Sequence, residues 1–213
     1  MPLLLVVPRD DGVRDAYDTV ARGYEVRFAA ELNHKPRDRE LLDRFAGRVC
    51  DPVLDVGTGP GQIGSYLRAR GRHVIGIDLS EEMARLAARR LHGVAIADAR
   101  VLPIATESTG GVLAFYSLIH LPRAQVGAAF RELYRVLRPG GRLLVSAHQG
   151  KGEVTIDEFL GSPVQLTGTF FTLVELLGHG TGAGFDVAHA ERRPPYLSEG
   201  DTIRLYLELT RPP

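Results

Sequence analysis

A short apolar run with one acid in it, Val53-Leu54-Asp55-Val56, leads directly into Gly57-Thr58-Gly59-Pro60-Gly61. Three glycines in five residues let a chain turn sharply and bring its backbone nearer to a ligand than any β-carbon permits. A helical pattern follows through Ile63, Tyr66 and Leu67 and is stopped by Gly71. Strand, glycine loop and helix in that order place the loop at the carboxyl edge of a parallel sheet, where ligands bind. The helix there offers unpaired amide donors and a positive end.

The rest of the chain continues the alternation, so an α/β fold is expected. Val13, Tyr17, Val20, Tyr24 and Phe28 recur at helical spacing, which puts Tyr17 and Tyr24 on one face. A second helix opens at Pro36 and carries Leu41, Leu42 and Phe45. His73 to Ile77 reads as a strand tipped by Asp78, and Ser80 caps the helix after it. Strands are expected at Val94–Ile96, Val112–Tyr116 and Leu143–Ser146, with a helix over 122–137 that stops at Arg138-Pro139-Gly140-Gly141. A short helix around Leu173–Leu177 precedes two runs, 186–192 and 202–210, with no helix between them. Those two runs read as an antiparallel pair at a sheet edge.

Composition narrows the function classes. The 213 residues form one domain, with 44% hydrophobic and 24% charged residues as in ordinary globular proteins. Lysine plus arginine equals aspartate plus glutamate at 26 each, so no net field favours nucleic acid or an anionic membrane. The lone Cys50 cannot form an internal disulfide, which fits a cytoplasmic chain. Met1 to Val7 is apolar but short, lacks a basic leading region and runs into Pro8-Arg9-Asp10-Asp11, so it is not read as a signal peptide. Leu3 to Val7 reads as a loose tail or a short strand on a neighbouring surface. No apolar run approaches the roughly 20 residues of a membrane span, and no cluster of residues has zinc spacing, so no metal is expected.

Two cofactor classes suit the loop. Gly59-Pro60-Gly61-Gln62-Ile63-Gly64 formally satisfies G-x-G-x-x-G, with Asp78 at the right distance to bind a ribose hydroxyl pair, as in a nicotinamide oxidoreductase. Against that, Asp55 suits a charged amino group or the loop amides and adds nothing for a pyrophosphate. Pro60 also removes a backbone donor that a phosphate would use.

In combination, Val53 to Gly61 closely resembles the first motif of class I S-adenosylmethionine-dependent methyltransferases of the small-molecule, bacterial type. Gly76-Ile77-Asp78-Leu79-Ser80-Glu81-Glu82-Met83 is similar to their second motif, Ala97 to Pro103 to the segment facing the adenine, and Leu137 to Gly141 to the turn before the fifth strand. The resemblance implies a Rossmann-like, seven-stranded, mostly parallel sheet with helices on both faces. Its antiparallel last strand is inserted between the fifth and sixth.

By that resemblance, residues 1–48 form lid and cap helices, 49–150 the cofactor-binding core, and 151–213 a substrate-side segment with the last two strands. Asp55, Gly57 and Gly59 would hold the methionine part within a loop completed by Thr58, Pro60 and Gly61. Asp78 would accept both ribose hydroxyls or, alternatively, cap a helix. Leu79 and Met83 would line the adenine. Asp98 would accept from its exocyclic amine or simply form a turn, beside Ala99 and Arg100. Tyr17 and Tyr24 lie in a stretch resembling the family's lid helix, where a tyrosine reaches the cofactor's carboxylate; otherwise both pack the helix onto the sheet. Lys35 is read as a partner of that carboxylate or as solvated surface. Tyr116 walls the sulfonium or belongs to the core.

Methyl transfer is an in-line displacement governed by positioning. His120 and His148, at the ends of the fourth and fifth strands, are the candidate bases, or alternatively close the loops by hydrogen bonds. Pro163 to Phe171 and Tyr196 are placed beside the acceptor. The expected activity is methylation of a small-molecule acceptor. The alternatives are an NAD(P)-dependent oxidoreductase and a non-catalytic S-adenosylmethionine-binding protein.

Overall fold

The computed structural model describes residues 11–213, so the expectations for Met1 to Asp10 lie outside the described residues. Helix α1 (Asp11–Phe28) and, after a short 3-10 turn at Glu31–His34, helix α2 (Pro36–Ala46) precede the sheet. Strand β1 (Val53–Val56) and α3 (Gln62–Arg68) flank the glycine loop. Then come β2 (Val74–Asp78), α4 (Glu81–Ala87), β3 (Gly93–Ile96), β4 (Thr109–Phe115), α5 (Arg123–Val136) and β5 (Leu137–His148). The last part comprises β6 (Glu153–Phe159), β7 (Ser162–Thr169), α6 (Leu173–Gly182), β8 (Asp186–Arg193) and β9 (Arg204–Thr210).

Seven strands form one sheet in the order β3-β2-β1-β4-β5-β9-β8. Pairing is parallel from β3 to β5 and antiparallel for β5 with β9 and β9 with β8. The late reversed strand is therefore inserted as expected, and the fold is the Rossmann-like α/β class.

Alternation along the strands builds two cores. Leu54, Val56, Val112, Ala114, Leu143 and Val145 face α5 and α6, whose Phe130, Leu133 and Leu176 are fully buried. Val53, Val74, Leu113 and Leu144 face the other way, onto Leu42, Phe45, Ile63 and Leu67 of α2 and α3. Each such side chain contributes on the order of 1.5–3 kcal/mol on burial.

Two elements differ from expectation. Strand β5 begins at Leu137, so Arg138 to Gly141 is a bent strand entry, with Gly140 at φ 76°, instead of a turn before the strand. Residues 153–169 form a separate antiparallel hairpin, β6 with β7, that lay unassigned in the sequence. Its two-residue turn, Leu160 and Gly161, has both φ angles positive, which matches the twist of paired strands.

Candidate functional site

The glycine loop sits where β1 ends. Gly57, Gly59 and Gly61 take φ angles of 70°, 54° and 84°. A β-carbon on Gly57 would lie 2.1 Å from Cβ of Ser117, just past β4, so only glycine permits this approach. The Gly57 and Thr58 amides both donate to the Ile77 carbonyl, at 2.8 and 2.9 Å, tying the loop to β2.

Four of the expected loop contacts work underneath it. Asp55 is 1% exposed, and its carboxylate accepts from the Thr58 hydroxyl at 2.7 Å and from the Gly64 backbone. Burial, with the charge of Asp78 nearby, pushes its carboxyl up to about 6. Thr58 is thereby turned inward, the Pro60 carbonyl accepts from Arg90 at 2.6 Å, and Gly61 packs on Ala87. Asp55, Thr58, Pro60 and Gly61 do not line the cavity described next; they set the loop's shape.

That cavity, of about 850 Å³, lies over the loop and under α1. At one end stand Met83, Ala97, Asp98, Ala99 and Arg100; in the middle, Asp78, Leu79 and Ser80; at the other end, Gly57, Gly59, Tyr24, Phe115, Tyr116 and Ser117. Tyr17, His120 and Leu121 complete the wall with Val13 and Arg14. The Asp78 carboxylate accepts from the Gly59 amide at 2.7 Å and the Ser80 amide at 2.9 Å. Asp78 thus lies in the cavity wall and also braces the turn before α4, whose N-cap is Ser80. Burial pushes its carboxyl up to about 6, with the charge of Asp18 adding and the amide bonds opposing.

Asp98 lines the cavity and forms a turn. It accepts from the Arg100 amide and Nε, both at 2.8 Å, in a turn closed by the Val101 amide at 3.0 Å. The Arg100 guanidinium beside it is therefore paired, which offsets its charge within the cavity.

The lid is α1. Asp18, which sequence reasoning did not single out, accepts from the Ser80 hydroxyl and from the Glu82 amide at 3.0 Å, docking α1 on the start of α4. Tyr17 and Tyr24 pack edge to face at 6.0 Å, and burial raises both phenols above their ordinary range. Lys35 does not line the cavity: it pairs with Glu31 at 2.6 Å and Glu199 at 3.4 Å, half-buried over the Tyr116 ring.

Tyr116 holds the left-handed φ of 55°, a strained conformation for an aromatic residue. Its amide donates to the Ser146 carbonyl at 3.1 Å. Its hydroxyl lies 3.2 Å from that of Tyr206, which donates to buried Asp38 at 2.6 Å. His148 stacks on Tyr116 at 5.0 Å and lines neither cavity. Burial, then the charge of Arg204, pushes its imidazole down to about 4. His120 does reach the cavity, 2.6 Å from the Tyr17 hydroxyl and 3.1 Å from the Thr167 carbonyl.

A second cavity, of about 620 Å³, shares Val13, His120 and Leu121 with the first. Glu153, Gln165, Thr167 and Thr169 of the hairpin line it. Tyr196 lies apart from both, its hydroxyl accepting from the Arg37 amide at 3.0 Å. Among the described residues no group of three or more histidines, cysteines or acids is placed to hold a metal ion, and no helix is long and apolar enough to cross a membrane.

Residues 53–141, from β1 through the loop and Asp78 to the start of β5, match a family model described as a methyltransferase domain. That stretch of the chain is similar to the class I S-adenosylmethionine-dependent methyltransferases. Among relatives of this family, a malonyl-[acyl-carrier protein] O-methyltransferase of Salmonella typhimurium is 37% identical over 128 residues, covering 59% of this chain and 49% of that protein. The chain spans about half the length of the first curated relatives it matches. The fold matches a Burkholderia thailandensis 1,6-didemethyltoxoflavin-N1-methyltransferase with TM-score 0.72 and 22% identity, over 100% of this chain and 94% of that one. It also matches the [4+2]-cyclase SpnF with TM-score 0.60 and 21% identity, over 82% of this chain and 80% of that one. One methyltransferase-like fold thus houses proteins named for different reactions.

Proposed function

We propose that the protein binds S-adenosylmethionine in the cavity over the glycine loop and transfers its methyl group to a small-molecule acceptor. The arrangement of Asp78 is the observation that carries this reading: a carboxylate held by two backbone amides at the tip of β2, between the glycine loop after β1 and the Ala99 segment after β3, all lining one cavity. These donors fit the cofactor. Asp78 would hold the ribose hydroxyls, Leu79, Met83, Ala99 and the Asp98–Arg100 turn would border the adenine, and Gly57, Gly59 and Tyr24 would face the amino-acid part. When bound, the cofactor supplies an electrophilic methyl on a sulfonium.

The chain's own part is to orient and to exclude water. Tyr17 and Tyr24 roof the site, Tyr116 walls it with an aromatic surface that suits a cation, and the lining arginine at the adenine end is paired with Asp98. His120 stands at the junction with the second cavity, which we assign to the acceptor. Its Nε2 is placed to take a proton once Tyr17 moves aside. His148 is buried behind Tyr116 and is assigned to holding that ring.

This reading extends to the lid in residues 1–48, the cofactor core in 49–150 and the acceptor side in 151–213. It also places the chain in the cytoplasm without a nucleic-acid partner, supported by the balanced charge and the single free cysteine. Incubation with methyl-labelled cofactor and a panel of carboxylic acids, phenols, amines and thiols tests the activity. Label in an acceptor supports it; cofactor binding with no transfer to any acceptor class would leave a binding protein instead.

A further inference from the structure

The amino-acid end of the cavity has an unexplained polar atom. Ser117 lines the cavity beside Gly57, and its hydroxyl oxygen is buried without a hydrogen-bond partner. A buried hydroxyl normally finds a partner, and nearby carbonyls usually supply one. Here the side chain is pressed against the first loop glycine so closely that a β-carbon on Gly57 would lie 3.1 Å from the Ser117 hydroxyl oxygen.

The acids around this end are engaged elsewhere. Asp55 faces away, taken by Thr58 and Gly64. Glu31 accepts from Lys35 and from Gln62 Nε2, and Asp78 accepts from Gly59 and Ser80. Gln62 Oε1 is the other unpartnered oxygen near the loop, but Gln62 does not line the cavity. A ligand carrying an ammonium group therefore meets, in the wall at this end, the buried and uncommitted hydroxyl of Ser117 beside the phenol of Tyr24.

On the reading that the cavity binds S-adenosylmethionine, we propose that Ser117 is a binding residue for the α-ammonium group of its methionine part, accepting one N–H through its hydroxyl. The role expected for Asp55 then falls to a neutral group just past the end of the neighbouring parallel strand, β4. Without a ligand partner the hydroxyl is a liability, because it is desolvated and unpaired. Its removal therefore leaves the ligand-free protein as stable as before or more so, while weakening the ligand.

Titration calorimetry on the whole chain separates the possibilities. S-adenosylhomocysteine carries the amino-acid part, and 5′-methylthioadenosine lacks it. Ser117→Ala is expected to weaken S-adenosylhomocysteine about tenfold, leave 5′-methylthioadenosine unchanged, and not lower the melting temperature of the free protein. Equal affinity of wild type and variant for S-adenosylhomocysteine would overturn the assignment. So would an equal loss for both nucleosides, which marks a structural role. If the wild type binds neither nucleoside, the cofactor reading itself falls and the assignment falls with it.

Discussion

The Tyr17 hydroxyl lies 2.6 Å from Nε2 of His120, whose Nδ1 lies 3.1 Å from the Thr167 carbonyl. A carbonyl only accepts, so Nδ1 carries the proton of the neutral ring and Nε2 accepts from Tyr17. One imidazole thereby connects the lid α1, the loop after β4 and the hairpin strand β7. Phe159 of the hairpin adds ring contacts to Tyr17 and Tyr24 at 6.4 and 6.3 Å.

Breaking this latch loosens the lid. Tyr17→Phe is expected to weaken S-adenosylhomocysteine binding by about 1 kcal/mol, near fivefold. Amide exchange in α1 should speed up and slow again when ligand is added. His120→Ala should have a similar effect, and the double variant should lose less than the sum, because both substitutions remove the same bond. Fully additive losses would show that the two side chains act separately.

Asp78 makes binding depend on pH. Its carboxyl is pushed up to about 6 by burial, so it is largely ionised at pH 7.5 and largely protonated at pH 5. Two ribose hydroxyls donate best to the ionised form, so affinity falls as pH drops through about 6, by at most about tenfold per unit below it. Asp78→Ala should cost about 1–3 kcal/mol of binding, and Asp78→Asn should flatten the pH profile. Asp55 is also pushed up to about 6, and an unchanged profile in Asp78→Asn would assign the titration there.

The loop glycines differ in what they protect. Gly57→Ala drives a β-carbon to 2.1 Å from Ser117 Cβ and should abolish ligand binding and lower the melting temperature sharply. Ser117→Gly on the same background removes the clash and should recover part of the stability. Gly71 has φ 79° but open space around it, so Gly71→Ala should cost only about 1–2 kcal/mol of stability, without changing binding. Thermal melts with and without ligand distinguish these cases.

Tyr206 is fully buried and donates to Asp38, whose carboxyl is raised by burial. It also lies within hydrogen-bond distance of the strained Tyr116. Tyr206→Phe strips a donor from Asp38 and should destabilise the fold by about 1–3 kcal/mol. Chemical denaturation reads that loss, and a variant as stable as wild type would show that the network is slack.

The fold was legible where periodicity and glycine carried it. The Val53–Val56 strand, the stripe Val126, Phe130 and Leu133, and the late pair without an intervening helix all stand in the structure. The hairpin was not, because every residue of β6 but Phe159 is exposed, so no buried face imposes alternation, and Pro163 obscures β7. Within the site, Asp78 and the loop glycines could be found by spacing. The orientation of Asp55 could not: an acid before a glycine loop reads alike whether it faces a ligand or Thr58 beneath. Asp18 and Ser117 matter through partners gained or missing, 62 residues away for Asp18 and Ser80, and such relations leave no local pattern.

On the proposed function, the cavity over Gly57 and Asp78 holds S-adenosylmethionine. Side-by-side calorimetric titration with S-adenosylhomocysteine and NADH tests it most directly. Saturable one-to-one binding of S-adenosylhomocysteine that Asp78→Ala weakens, with no binding of NADH, is the predicted result. Tight NADH binding with none of S-adenosylhomocysteine would contradict it.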